Sequence, residues 1–264
     1  MKRLTMALMA LGLLACGPPP PPSYGGAGGG SALRSGAKPA WVDGTSARYP
    51  RMQYLSGVGH GAGRATCESD ARAAIAKVFR VRVQQVSQDW MGHFSKVNAT
   101  GKIHVEAMTV SQLTRVSTDY VVKGVKIAEV WKGSGTFHCL AILERFPASR
   151  TLRDAIDKLD VEIGAKVSQG DKAANDTAKF FAYKGAMLLL QRREALNAEL
   201  RIVSPTGAGR PPTHGWADLV AKFTGASSRI KIGLKLQGRN ARKLQTCIAE
   251  QLTARHMQVT ETSN

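Results

Sequence analysis

The sequence predicts an α+β protein in which a long helix packs on a small antiparallel sheet, followed by a helical hairpin and a small C-terminal β-α-β unit. Two segments rich in β-branched residues flank the turn-forming residues 132–135, which predicts a hairpin of strands. Two amphipathic segments meet near Gly170, which predicts two antiparallel helices. The long helix is predicted from apolar residues at helical spacing: Ala71, Ala74, Ile75, Val78, Val81, Val86 and Trp90.

The first folded domain is predicted to span residues 39–147. A short strand at residues 52–55 leads through a glycine-rich turn into the long helix, which we expect Thr66 or Ser69 to cap. Packing one helix against an antiparallel sheet gives the α+β arrangement. Further strands are expected at residues 103–113, 117–122, 125–131 and 136–143.

The glycine-rich turn contains Gly57, Gly59, Gly61 and Gly63, which can take positive φ values. With Ala62, the turn fits the G-x-G-x-x-A variant of a dinucleotide site between a strand and a helix. Three features count against such a site. The helix is too long for a compact βαβ unit, no acidic strand end follows at about 20 residues, and the preceding strand is short. A flexible turn is therefore the favoured interpretation, and a nucleotide-using enzyme is the less favoured alternative.

Residues 1–15 are predicted to form a lipoprotein signal peptide. Lys2 and Arg3 precede an apolar run, and the segment ends in Leu-Leu-Ala immediately before Cys16. This ending resembles the lipobox of bacterial lipoproteins, whose cysteine becomes the lipidated first residue of the mature chain. The resemblance implies acyl chains such as palmitate on Cys16 and, with Gly17 at the next position, sorting to the outer membrane. The alternative is an ordinary secretory signal with an incidental cysteine.

Residues 16–38 are predicted to link the lipid to the first domain. A run of prolines acts as a stiff spacer and the glycine and serine run after it as a flexible one. We expect this linker to hold the domain off the bilayer, facing the periplasm. No apolar run beyond the signal peptide reaches the length needed to span a bilayer.

The chain is strongly basic, with a formal net charge of +18 that falls to +16 once Lys2 and Arg3 leave with the signal peptide. Such a charge indicates anionic neighbours, such as lipid headgroups, cell-wall polymer, polysaccharide or nucleic acid. Export makes nucleic acid the least favoured of these, and the sequence has no nucleic-acid fold signature. We therefore predict no nucleic-acid partner. Solvated lysines and arginines on helix faces explain most of the charge without any ligand.

The sequence contains four cysteines. With Cys16 assigned to the lipid, Cys67, Cys139 and Cys247 remain, and this odd number allows at most one intramolecular bridge in an oxidising compartment. If a bridge forms, we predict it between Cys67 and Cys139, because both lie in the first domain while Cys247 does not. The alternative is that both are reduced core residues.

The histidines lack the spacing of a metal site, and the sequence has no nucleophile elbow of the hydrolase type. The sequence therefore predicts no catalytic residue, no cofactor and no metal ligand. Each histidine is expected to be a surface or partly buried structural residue. The six are His60, His93, His104, His138, His214 and His256.

Small and apolar residues recur in the first domain in a distinctive order. The segments are Pro39-Ala40-Trp41-Val42, Tyr54-Leu55-Ser56-Gly57-Val58-Gly59, an alanine-rich helix, Gly124-Val125-Lys126-Ile127 and Phe137-His138-Cys139-Leu140-Ala141-Ile142-Leu143. Together they resemble the Lpp-twenty family of bacterial lipoproteins, and the N-terminal domain of flagellar assembly protein T is similar. The resemblance covers about residues 39–146. It implies a small α+β domain on a cell-envelope lipoprotein, with no active site to carry over.

Residues 148–203 are predicted to form the helical hairpin. Thr151 and Asp154 give its first helix a start like a capping box, and Gly170 ends that helix. The proline-containing residues 204–228 are predicted to be a linker, with one helical turn around residues 216–223.

Residues 229–264 are predicted to form the basic β-α-β unit. Seven basic and two acidic side chains give it a net charge of +5. So small a unit cannot hold a hydrophobic core alone, so it must dock on the rest of the chain, pair with another copy or complete a partner's sheet. Its candidate contacts with an anionic partner are Lys231, Lys235, Arg239, Arg242 and Lys243.

The sequence as a whole predicts a non-enzymatic, lipid-anchored protein of the cell envelope that acts as a scaffold or assembly factor at the outer membrane. Its expected partners are the membrane, reached through the lipid, and an envelope protein or a second copy of the chain. The alternative function is a binding module that holds anionic cell-wall polymer or lipid through the basic C-terminal unit.

Overall fold

A computed structural model describes residues 33–34, 36–44, 46–100, 108–109, 112–113, 123–234, 241–254 and 258–261. The predicted signal peptide, Cys16 and most of the predicted linker lie outside the described residues, as do Lys235 and Arg239. The strand predicted at residues 117–122 lies outside them, as does most of the one predicted at residues 103–113, and this second prediction is wrong at residues 112–113, which are helical.

A four-stranded sheet contains β1 (Leu33–Arg34), β2 (Tyr54–Gly61), β3 (Val125–Gly133) and β4 (Thr136–Glu144). The strand order is β1-β3-β4-β2, with β1 parallel to β3 and the other neighbours antiparallel. The predicted hairpin of β3 and β4 is confirmed. Its turn residues Ser134 and Gly135 have φ values of 50° and 82°. Positive φ at both positions is the type I′ geometry, whose twist suits two antiparallel strands.

The helices that the structure describes are α1 (Arg64–Thr100), α2 (Arg145–Asp171), α3 (Asp176–Val203), α4 (Trp216–Ser227) and α5 (Ala241–Ala254). Two further strands, β5 (Lys231–Leu234) and β6 (Gln258–Glu261), flank α5 in the chain and pair in parallel as a separate sheet. This order confirms the predicted α+β class, with its long helix, helical hairpin and C-terminal β-α-β unit. Among the described helices, none combines the length and the apolar character needed to cross a membrane.

Three of the glycines lie in a strand, so the predicted turn is wrong at these positions. β2 continues to Gly61, and Gly57, Gly59 and Gly61 all face the first turns of α1. A Cβ at Gly59 would collide with the backbone nitrogen of Ala71 and lie 2.5 Å from the carbonyl oxygen of Cys67. A Cβ at Gly57 would lie 2.8 Å from the carbonyl oxygen of Ala71. Because glycine has no Cβ, the backbone of α1 can pack directly against β2.

The buried face of α1 repeats at steps of three or four residues. Val78 and Val81, two of the apolar residues from which the helix was predicted, lie off this face, and their side chains are 45% and 49% exposed. Steps of four from Cys67 pass through Phe79 and Val83 instead, so residues one or two positions away point elsewhere on a helix with 3.6 residues per turn. The buried residues of α1 are Cys67, Ala71, Ile75, Phe79, Val83, Ser87, Trp90, Phe94 and Val97.

Two large hydrophobic cores lie along α1, and a small cluster of Val83, Leu113 and Ala195 adds a third. The first joins α1 to the sheet and to the hairpin of α2 and α3, with Ile75 and Ile156 among its buried side chains. The second lies further along α1 and contains Phe94, Met187 and Phe223, the last from α4. Burying one such side chain contributes about 1.5–3 kcal/mol. Because α1 supplies residues to both cores, it connects the sheet to the helical part of the fold.

The first helix of the hairpin begins earlier than predicted. α2 starts at Arg145, directly after β4, so the predicted start at Thr151 and Asp154 is wrong. The hydroxyl of Thr151 instead donates to the carbonyl oxygen of Pro147 inside the helix, at 3.1 Å. Pro147 is tolerated because it lies in the first turn, where its missing N–H has no partner within the helix. The predicted boundary between residues 147 and 148 therefore falls inside α2.

A buried arginine attaches the segment between α3 and α4 to the hairpin. Arg193 is 0% exposed, and its guanidinium donates to Asp160 at 3.1 Å. It also donates to the carbonyl oxygens of Arg210 and Pro211, at 2.8 and 2.9 Å. Part of the predicted linker is thus fixed against α3. The helical turn predicted at residues 216–223 is the start of α4, which continues to Ser227.

We predict that Gly59→Ala lowers the free energy of unfolding by roughly 3 kcal/mol, because the new methyl group forces α1 away from β2. Gly63→Ala is the matched control, since a Cβ there meets no atom within 4 Å. It should change stability by no more than about 0.5 kcal/mol. Denaturant unfolding of the three proteins measures both effects, and equal stability of the two variants would contradict the close packing.

Candidate functional site

The structure joins Cys67, at the start of α1, to Cys139 of β4 in a disulfide with an S–S distance of 2.06 Å and a Cα–Cα distance of 5.6 Å. Both residues are 0% exposed. Cys139 lies opposite Gly59 in the pairing of β2 with β4. The bridge therefore lies where β2, β4 and α1 meet. Cys247 has an exposed free thiol.

The face of the sheet opposite α1 is partly covered by residues 36–44. Trp41 is 5% exposed and packs against Leu140 and Ile142 of β4. Its indole N–H donates to the carboxylate of Glu129 at 3.1 Å. Because Glu129 is itself buried, this hydrogen bond offsets part of the cost of removing its charge from water. Both faces of β4 are thus packed, which explains why residues 139–143 are buried without alternation.

Two histidines lie side by side on this second face. His60 of β2 and His138 of β4 are register partners, and their Nδ1 atoms are 2.8 Å apart. The ring of Trp131 lies 5.1 Å from that of His138. Burial lowers the pKa of His138 below its ordinary value, His60 and Lys38 act in the same direction, and Asp43 opposes them. Two neutral imidazoles can share one hydrogen between their Nδ1 atoms, one ring donating and the other accepting.

The histidine pair was not predicted, because its members are 78 residues apart in sequence. Only the register between β2 and β4, which the sequence does not specify, brings them together. Within the described ranges, no group of three or more His, Cys, Asp and Glu side chains is placed to hold a metal ion.

A polar cluster connects α4 to the hairpin. Asp171 accepts hydrogen bonds from Lys222 at 2.9 Å and from the hydroxyl of Tyr183 at 2.8 Å. The hydrogen bond from Lys222 holds the pKa of Asp171 below its ordinary value, and the same bond raises the pKa of Lys222. Burial raises the pKa of Tyr183, and its hydrogen bond to Asp171 adds to the effect. Donors and acceptor satisfy one another here, which favours a structural role for the cluster.

A cleft lies where the sheet meets the first turns of α2, lined in part by Lys123, Lys126, Glu144 and Thr151. Lys126 and Glu144 form an ion pair across it at 3.0 Å, with both side chains partly exposed. An exposed pair of this kind contributes little to stability and has its charges already balanced.

The C-terminal unit presents the basic residues that the sequence singled out. Lys231, Arg242 and Lys243 are all exposed, the last two on α5. Leu244, next to them on the helix, is 53% exposed. Lys235 and Arg239 belong to the same unit but lie outside the described residues. α5 thus exposes two basic side chains and one large apolar side chain.

Residues 39–144 match the family model of the LPP20 lipoproteins. This is the Lpp-twenty family that the sequence of the first domain resembles. The sheet and α1 lie within this match, and the helices from Arg145 onward lie outside it. No curated protein matches the chain. The secreted protein HP1454 of Helicobacter pylori is a structural neighbour, with 12% identity over 80% of this chain and 74% of that one. Its TM-score of 0.35 is too low to establish a shared fold.

We predict that replacing both bridged cysteines by alanine lowers the free energy of unfolding by about 4 kcal/mol, because the bridge closes a long loop in the unfolded chain. The two cysteines are 72 residues apart in sequence. Cys247→Ser should leave stability unchanged, since its thiol is exposed and free. Denaturant unfolding measures both effects. If an alkylating reagent labels Cys67 and Cys139 in the purified protein without prior reduction, the two thiols are free and the pairing is contradicted.

Proposed function

Because residues 39–144 match the family model of the LPP20 lipoproteins, we propose that the protein is a non-enzymatic lipoprotein that acts as a scaffold or assembly factor of the cell envelope. In this proposal the acylated Cys16 anchors the chain in the outer membrane, and the folded part faces the periplasm. The family match and the signal-peptide pattern of residues 1–16 support the anchor.

The structure of the C-terminal β-α-β unit is the main support for the scaffold role. Within the described residues, β5 pairs with β6 and each strand has its other edge open. Such an edge carries backbone donors and acceptors that a strand from another chain can complete. The unit adds to this edge a helix with the half-exposed Leu244. A strand of an envelope protein, or of a second copy of this chain, is the partner that fits it.

Charge supports a second candidate function. Residues 229–264 carry a net charge of +5, and Lys231, Arg242 and Lys243 are exposed. A basic surface held near a bilayer attracts anionic cell-wall polymer or lipid headgroups. This contact would weaken at high salt, whereas pairing of strand edges depends much less on ionic strength.

The glycine strand gives no support to the nucleotide-using alternative. Gly57, Gly59 and Gly61 belong to β2, and the backbone of α1 occupies the space in front of them. A dinucleotide needs glycines in a turn whose amides face the pyrophosphate. We therefore do not propose an enzyme that uses this segment.

The test is a truncated chain that ends at Ile230. Arg229 bonds Asp176 at 3.0 Å, and Ile230 packs against the second core, so both are retained to preserve the fold. We expect the truncated protein to remain in the membrane fraction while losing the partners that crosslinking recovers from intact envelopes. Cys16→Ser is the companion variant, and it should leave the membrane fraction because its anchor is gone.

Charge reversal separates the two candidate functions. Arg242→Glu with Lys243→Glu changes the charge of α5, and Lys77→Glu with Arg80→Glu makes the same change on exposed positions of α1. If strand pairing holds the partner, crosslinking survives both double variants. If charge holds it, the α5 double variant and high salt both abolish recovery. Recovery of the same partners with the chain that ends at Ile230 would contradict both functions.

A further inference from the structure

We propose that His60 and His138 bind a divalent transition-metal ion, with a geometry that favours Cu²⁺. Two imidazole nitrogens lie 2.8 Å apart there, with His60 exposed and His138 partly buried. It is independent of the C-terminal unit and of any protein partner.

The distance between the two nitrogens is compatible with two neighbouring ligands of one metal ion. Bonds from a metal to imidazole nitrogen measure about 2.0–2.1 Å. With Nδ1 atoms 2.8 Å apart, such bonds meet at the metal at an angle of about 90°. Tetrahedral ligands would instead be separated by about 3.3 Å. Neighbouring ligands at a right angle are typical of the tetragonal sites of Cu²⁺ and Ni²⁺, and Cu²⁺ binds such donors more tightly.

Both rings can present a lone pair to the metal while each remains a neutral imidazole. In the hydrogen-bonded pair, one Nδ1 carries the hydrogen and the other accepts it. Moving that hydrogen to Nε2 of the same ring frees the second Nδ1, and turning both rings so that their lone pairs face the metal makes the two neutral imidazoles into two ligands. The lowered pKa of His138 favours the neutral ring that coordination needs.

The surroundings hold the two rings in place. The backbone N–H of His60 donates to the carboxylate of Asp70 at 2.9 Å, which fixes this part of β2 to α1. The ring of Trp131 packs on that of His138. The next register pair along the strands is Gly59 with the disulfide-bonded Cys139. The disulfide and the hydrogen bond to α1 therefore hold this part of the sheet in place beneath the two histidines, and water would complete the coordination.

The test is Cu²⁺ titration of the full chain in detergent, carrying Cys247→Ser so that the exposed thiol does not compete for copper. Calorimetry should give one tight site per chain. Electron paramagnetic resonance of the copper complex should show hyperfine coupling to two imidazole nitrogens. This spectrum needs no histidine variant, so it tests the site even if the variants fold poorly.

His60→Gln and His138→Gln should each weaken Cu²⁺ binding at least tenfold, since even changes outside the ligand shell cost about 10–100-fold. His93→Gln is the matched control, because this exposed histidine lies on α1 beside Trp90 and Trp216. It should bind copper as the parent does. The absence of a stoichiometric site in the parent, a spectrum without two coupled nitrogens, or equal affinity in all three variants would overturn the proposal.

Discussion

The fold depends on direct contact between the backbone of α1 and the glycine face of β2. A strand interior rich in glycine is costly, because it packs no side chain and loses much conformational freedom on folding. Here that cost is offset by the approach of the helix, since a Cβ at Gly59 would overlap the backbone of Ala71. With the first turns of α1 fixed to the sheet in this way, its later turns extend beyond the sheet and supply Trp90, Phe94 and Val97 to the second core.

The same contact positions the chemically distinctive groups of the domain. The disulfide joins Cys67 of the helix to Cys139, opposite Gly59, and the histidine pair occupies the next register position. Side chains alternate across a strand. His60 therefore points away from α1, because the residues on either side of it, Gly59 and Gly61, face α1. Close packing on one face thus places two imidazoles together on the other.

Patterns local in sequence predicted much of this architecture. The β-branched segments around Ser134 and Gly135 predicted the hairpin, and amphipathic spacing predicted α2 and α3. The glycine strand was missed because strand prediction relies on side chains that alternate, and β2 has none on its inner face. The early start of α2 was missed because Pro147 is a breaker in most helix positions but not in the first turn. The histidine pair depends on strand register, which only the folded chain determines.

Hydrogen exchange at individual amides tests the central contact most directly. If α1 and β2 form one packed unit, the amides of β2 that pair with β4 and those of the first turns of α1 should exchange only when the whole domain unfolds. Their opening free energies should then equal the global value and fall with denaturant at the same slope. Exchange of β2 through a small local opening, while α2 and α3 remain protected, would contradict the account.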